Sequence, residues 1–177
     1  DLVRPKDSFE LAKVLSICNK HNQAVIPHGG LTGLAEGAIT HQGQIAISSE
    51  RLTAIEEVDE IGRTMTVEAG VPLEKAQQEA EKYNLMLPVD LGARGSCTVG
   101  GNISTNAGGN MVIKYGMMRD SVLGLEAVLA DGQIMTSMNQ MLKNNSGYDL
   151  KQLFIGTEGT LGFITKAVLR LREKPKS

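Results

Sequence analysis

PHGGLTGLAEGA, residues 27–38, follows the apolar run AVI and carries four glycines but no Lys or Arg. A loop that grips phosphate through charge brings a cation, whereas this one offers mostly backbone. Its glycines also decide which nucleotide-binding folds remain. Of the twenty glycines in the chain, no two are separated by a single residue, so GxGxxG occurs nowhere and the Rossmann fingerprint is excluded. No Gly precedes Lys-Ser or Lys-Thr, which excludes the P-loop, and the missing GxSxG removes the hydrolase nucleophile elbow.

Around this loop the patterning alternates between helix and strand. DSFELAKVLSICNKH (7–21) reads as a helix capped by Asp7 or Ser8, with Leu11, Val14, Leu15 and Cys18 on one face. AVIP (24–27), QIAIS (44–48), TAIEEV (53–58) and RTMTVEAG (63–70) have strand length and pattern. VPLEKAQQEAEKY (71–83) is a second helix, with Pro72 where a first helical turn tolerates it. DLGARGSCTVGGNISTNAGGN (90–110) is a second glycine-rich, low-charge tract, expected to be irregular. VLGLEAVLADGQIMTS (122–137) is a hairpin about Asp131-Gly132, YDLKQLF (148–154) a short helix, and FITKAVLRLR (163–172) a long strand. Strand–helix–strand at the front with consecutive strands behind indicates an α+β fold in two lobes.

Composition narrows the function. At 177 residues, 41 % apolar and 21 % charged, the chain is an ordinary globular domain. A net charge of −2 and 3 % aromatics give no footing for nucleic acid. No apolar run has the length of a membrane span. Cys18 and Cys97 are too few for a disulfide framework or zinc site, and His21, His28 and His41 have no helical metal-pair spacing, so no metal is expected. The composition suits a soluble chain, with cytoplasm and mitochondrial matrix both open. The chain starts without Met and reads as a piece of a longer protein.

Three loops, 27–38, 90–110 and 156–162, combine Gly with Ser, Thr or Asn. Successive amides in such loops converge into anion nests, and hydroxyls add donors that need no counter-charge. A pyrophosphate cradled by main chain fits this chemistry; long irregular turns are the alternative, although loops of that length are usually functional.

These stretches, with YGMMRDSVLGLEAVLADG (115–132) and GYDLKQLFIGTEGTLGFIT (147–165), resemble the FAD-binding domain of the vanillyl-alcohol oxidase/p-cresol methylhydroxylase (PCMH-type) flavoproteins. Within that family they are most similar to the glycolate oxidase, D-lactate dehydrogenase and D-2-hydroxyglutarate dehydrogenase branch, and DLGARGSC with GGNISTNAGG leans to the last. The resemblance covers essentially the whole chain. It implies a two-lobed α+β domain over 1–177, a small βαβ lobe beside a larger mixed or antiparallel sheet flanked by helices.

Carried over by motif, the resemblance implies that Pro27, His28, Gly29, Gly30, Leu31, Thr32 and Gly33 wrap the FAD pyrophosphate. Asp90, Leu91, Gly92, Ala93, Arg94, Gly95 and Ser96, with Thr105, Asn106, Ala107 and Gly108, would line the flavin and its linking chain. Glu158, Gly159, Thr160, Leu161, Gly162, Phe163 and Ile164 would close over the nucleotide side, and Gly100 and Gly101 would let the chain pass close to the cofactor. A side chain at Gly30 or Gly33 is expected to press on the phosphates. Plainer readings stand beside these: Asp90 capping a turn, Asn106 satisfying backbone, Glu158 in a surface turn. Arg94 and Arg119 are candidates to steer an anionic substrate or to form ion pairs, Tyr115 and Tyr148 to pack, and Met117 and Met118 to fill core or interface.

Family members that tether FAD through this loop carry Gly-Gly-His; here Gly29-Gly30 is followed by Leu31, so the resemblance implies non-covalent FAD. It further implies a flavin-dependent D-2-hydroxy-acid dehydrogenase that passes hydride from a small 2-hydroxy acid to flavin N5 and on to an external electron acceptor. The substrate groups would lie in a following cap domain, so no catalytic residue is named here. Another reductase of the family and a non-catalytic FAD-carrying subunit are the alternatives; the oligomeric state is open.

Overall fold

A computed structural model of the chain describes residues 1–175. The small lobe is a parallel sheet in the order β1–β3–β2, built from Leu2–Val3 (β1), Val25–His28 (β2) and Ile45–Ser48 (β3). Helix α1, Ser8–Lys20, connects β1 to β2. Its cap is Asp7, whose carboxylate accepts the Glu10 amide at 2.7 Å. Ser8 instead donates to the Glu126 carboxylate at 2.5 Å. Leu11 and Leu15 pack on Ile47 and Leu52 and also on Val128 and Phe163 from the large lobe, so the two lobes share an apolar seam.

The large lobe is an antiparallel sheet in the order β4–β5–β9–β7–β8, from Ile55–Asp59 (β4), Thr64–Glu68 (β5), Val122–Val128 (β7), Ile134–Ser137 (β8) and Phe163–Arg170 (β9). The β7–β8 hairpin turns through Leu129–Gly132, where Gly132 at φ +90° takes the left-handed position that closes the turn. The long strand expected over 163–172 ends at Arg170, although the Leu171 amide still reaches the facing Arg63 carbonyl at 2.7 Å. Arg172–Glu173 (β10) then pairs with Leu85–Met86 (β6) in a separate ribbon. Helix α2, Leu73–Glu81, is shorter than the stretch 71–83, and Pro72 is its N-cap, extended at ψ 140°, not part of its first turn.

The tract 90–110 is not irregular throughout: Val99–Ser104 form a helix, α3, capped by the Thr98 hydroxyl, which accepts the Gly101 amide at 3.3 Å. Gly100 and Gly101 hide it from propensity. Val112–Tyr115 (α4) and Met118–Ser121 (α5) are single turns, and the helix expected at 148–154 is only a 3-10 turn, Leu150–Leu153. Tyr148, expected to pack, is 95 % exposed, while Met118 is fully buried.

Candidate functional site

The short helix α3 organises the site. Its start is tied to the turn that follows β5 by Val99 N–H to the Val71 carbonyl (2.9 Å) and Gly100 N–H to the Ala69 carbonyl (2.8 Å). A Cβ on Gly100 would stand 2.6 Å from the Ala69 Cβ, so this glycine serves helix-on-turn packing. At its other end, the Ile103 carbonyl accepts the Gly156 amide (3.1 Å) and the Ser104 carbonyl the Glu158 amide (2.8 Å), which seats the third loop. The first loop lies across the helix start: a Cβ on Gly29 would be 2.8 Å from Thr98 Oγ1, and one on Gly30 only 2.0 Å from the Ser96 carbonyl oxygen. Gly159, at φ +80°, brings the third loop onto Pro27. Three segments far apart in sequence thus meet around six residues.

Between them opens a cleft of about 1020 Å3, at the upper end of ordinary ligand sites. Pro27 to Gly33 line it together, with Leu91, Gly92, Ala93, Gly100, Gly101, Thr105 and Ala107 from the second tract and Glu158, Gly159, Gly162, Phe163 and Ile164 from the third loop and the start of β9. Asp90, Arg94, Gly95, Ser96, Asn106 and Gly108 stand outside this lining. Thr160 and Leu161 face a neighbouring cavity of about 330 Å3 that shares Pro27, Glu158 and Gly159 with the cleft. The wall also includes Leu34 to Ile39, Ser49, Ala69, Cys97, Thr98, Asn102 and Ser104, which sequence reasoning missed. A helix inside the second tract was the signal that would have found Thr98 and Asn102.

No Lys or Arg belongs to the lining, whose carboxylates are Glu36 and Glu158. His28 Nε2 is engaged with Thr40 Oγ1 at 2.9 Å. The polar capacity of the first loop is main chain: among the described residues, no acceptor takes the amides of Gly29, Gly30, Leu31, Thr32 or Gly33. Leu31 adopts φ +55°, a left-handed residue in the middle of this run of amides. A left-handed Leu costs roughly 1–2 kcal/mol, so this conformation is held by the packing beneath it. Glu36 and Glu158 are left-handed as well, at φ 60° and 53°.

Both arginines are committed elsewhere. Arg94 pairs with Asp90 at 2.9 Å and approaches Glu74 at 3.9 Å. Arg119 donates to the Gln152 side chain, to the Gln152 carbonyl at 3.3 Å and to the Ile155 carbonyl at 2.6 Å, clamping the third loop. Its own amide donates to Asn106 Oδ1 at 3.0 Å, so Asn106, at φ 48°, satisfies local backbone. Among the described residues no group of three or more His, Cys, Asp or Glu is placed to hold a metal ion, and no helix is long and apolar enough to cross a membrane.

Comparison with known proteins adds identity to this geometry. A family model described as FAD binding domain matches residues 2–137. The chain is 45 % identical over 176 residues to a mitochondrial D-2-hydroxyglutarate dehydrogenase of Danio rerio, covering 99 % of this chain and 33 % of that protein. It is 46 % identical over 171 residues to a D-2-hydroxyglutarate dehydrogenase of Xanthomonas citri pv. viticola, covering 97 % and 36 %. The chain therefore spans about a third of the length of these curated relatives. A solved alkyldihydroxyacetonephosphate synthase shares the fold, with a TM-score of 0.87 at 24 % identity over 99 % of this chain and 32 % of that one. By its matched residues, its two lobes and the shared fold, this chain belongs to the FAD-binding domains of the vanillyl-alcohol oxidase/p-cresol methylhydroxylase type.

Proposed function

We propose that this chain is the FAD-binding part of a flavin-dependent D-2-hydroxy-acid dehydrogenase of the D-2-hydroxyglutarate type, and that it holds FAD non-covalently in the large cleft. The observation that carries the reading is the 45 % identity, across 99 % of the chain, to a protein named D-2-hydroxyglutarate dehydrogenase. The cleft suits the cofactor: the partnerless amides of residues 29–33 meet the needs of a pyrophosphate without a counter-charge, and Gly33 and Gly92 have nothing within 4 Å of a built Cβ. Bound FAD supplies the two-electron chemistry, taking up hydride from the acid's α-carbon.

The residues of this chain bind and orient. Gly29 to Gly33 give main-chain donors, Leu91 to Ala93 and Thr105 to Ala107 form part of the cleft wall, and Glu158 to Ile164 close the side nearest the small cavity. A carboxylate clamp and a base within reach of the substrate hydroxyl are also required. The cleft lining has neither cation nor paired imidazoles, so we assign those groups to residues outside 1–177. The cofactor's electrons would pass on to an external acceptor. Cytoplasm and mitochondrial matrix both remain compatible: the Danio rerio relative is named mitochondrial and the Xanthomonas one is not.

Anaerobic addition of D-2-hydroxyglutarate, D-lactate or glycolate to the whole FAD-loaded protein tests this. Bleaching of the visible flavin band is expected with D-2-hydroxyglutarate. No bleaching with any of the three refutes the dehydrogenase; bleaching by residues 1–177 alone refutes the division of labour.

A further inference from the structure

Asn102 is the one asparagine of the cleft wall, and it is only 4 % exposed. It stands in α3 below the root of the first loop: the neighbouring Gly101 Cα lies 3.4 Å from a Cβ built on Gly29, and the Cys97 Cα 2.8 Å from one built on Gly30. The Asn102 side chain makes a single contact within the described chain, Nδ2 to Cys97 Sγ at 3.5 Å. Its Oδ1 accepts nothing from the described residues, yet no buried side-chain oxygen or nitrogen among them is without a partner. The oxygen end therefore reaches solvent-accessible space, and the cleft is the cavity this residue borders. A buried carboxamide with one weak sulfur contact and one end open to a ligand cleft is not fully used by the fold.

We infer that Asn102 is an uncharged side-chain donor to the diphosphate of the bound dinucleotide, a contact that rests on the FAD reading above. Half a turn about χ2 exchanges the two ends of the carboxamide at no cost in shape. The Cys97 S–H then donates to Oδ1, and the Nδ2 protons face the cleft beside the free amides of Gly29 and Gly30. The cleft needs such a donor because no Lys or Arg lines it while Glu36 and Glu158 do. A carboxamide adds two N–H groups without introducing a charge that would need burial.

Two variants of similar shape separate this role from a packing role. Asn102→Leu removes the hydrogen bond and keeps the volume; Asn102→Asp keeps the volume and puts a negative charge at the same place. FAD affinity is measured on the whole apoprotein by quenching of flavin fluorescence, with ADP as competitor, and far-UV circular dichroism and thermal midpoint are recorded without cofactor. Asn102→Leu is expected to weaken FAD about tenfold, and Asn102→Asp by at least about a hundredfold through repulsion of the diphosphate. ADP should weaken in parallel with FAD. Equal losses in both variants, or FAD affinity within twofold of the parent in either, overturn the inference; so does a loss for FAD that ADP does not share. If an Asp variant does not fold, the FAD and ADP affinities of Asn102→Leu still decide the matter. A parent protein that binds neither FAD nor ADP overturns the underlying reading instead.

Discussion

Gly30 and Gly33 stand three residues apart in one loop, and the structure assigns them opposite sensitivities. A Cβ on Gly30 would lie 2.0 Å from the Ser96 carbonyl oxygen and 2.8 Å from the Cys97 Cα. Carbon and oxygen repel steeply there, so the first loop would have to lift by about 1 Å from the second to restore van der Waals contact. Such overpacking costs about 1–3 kcal/mol, and a folding unit of this size loses about 2–4 °C of thermal midpoint per kcal/mol. Gly30→Ala should therefore lower the midpoint of the apoprotein by roughly 2–12 °C. Gly33 has nothing within 4 Å of its built Cβ and no positive φ, so Gly33→Ala should leave the apoprotein unchanged or raise its stability by up to about 1 kcal/mol. Its methyl group would occupy cleft volume, and FAD affinity should fall by about tenfold or more, a loss on the scale of 1–3 kcal/mol. Both quantities come from one protocol: scanning fluorimetry without cofactor, then titration with FAD. A Gly33→Ala protein that melts early, or that binds FAD like the parent, would falsify the placement of the pyrophosphate over this loop. An unchanged midpoint for Gly30→Ala would refute the packing of loop on loop.

Acid precipitation of the loaded protein should leave a yellow supernatant and a colourless pellet, because Leu31 occupies the tethering position; colour retained in the pellet contradicts non-covalent FAD. Arg119→Met should strand the Gln152 and Ile155 carbonyls and cost about 2–3 kcal/mol in urea unfolding. FAD should bind more weakly as the third loop loosens, whereas an unaltered stability with a raised KM for hydroxy acid would restore the steering role. The Lys151 ammonium holds the Asp149 carboxyl below its ordinary value. Its small contribution is present above the unfolded carboxylate pKa and is lost as pH falls through the folded one. Asp149→Asn should therefore lower stability slightly at neutral pH, with the difference from the parent vanishing at low pH; a variant as stable as the parent at neutral pH removes the pair from the account.

Apolar periodicity located α1, strands β2 and β3 and the β7–β8 hairpin, because burial on one face writes itself into spacing, whereas the two-residue β1 is too short to show a period. The strand after Phe163 was equally legible, but its end at Arg170 was not, since Arg172–Glu173 leave to pair with Leu85–Met86, a segment remote in sequence. Helix α3 was hidden by its own glycines, one of which exists to let the helix lie against Ala69. The loops of the site were readable from Gly beside Ser, Thr and Asn. Which face of each loop meets the cleft was not: Arg94 and Ser96 differ from Leu91 and Ala93 only in how the chain turns. Asn102 looked like one polar residue among several, and burial alone sets it apart. The arginines were ambiguous for a related reason, because a cation's partners lie in other segments.

A helix of six residues has no persistence in water, so α3 owes its order to Ala69 and Val71 before it and to the segment 156–158 after it. The joints of the cleft therefore span long sequence separations, the slowest kind to close. On a ribosome, the first loop and the turn residues under α3 emerge well before the third loop that completes the cavity. Dinucleotide capture thereby waits for the third loop: the flavin locks an assembled cleft, and a nascent chain that ends before residue 156 has no complete site to offer it.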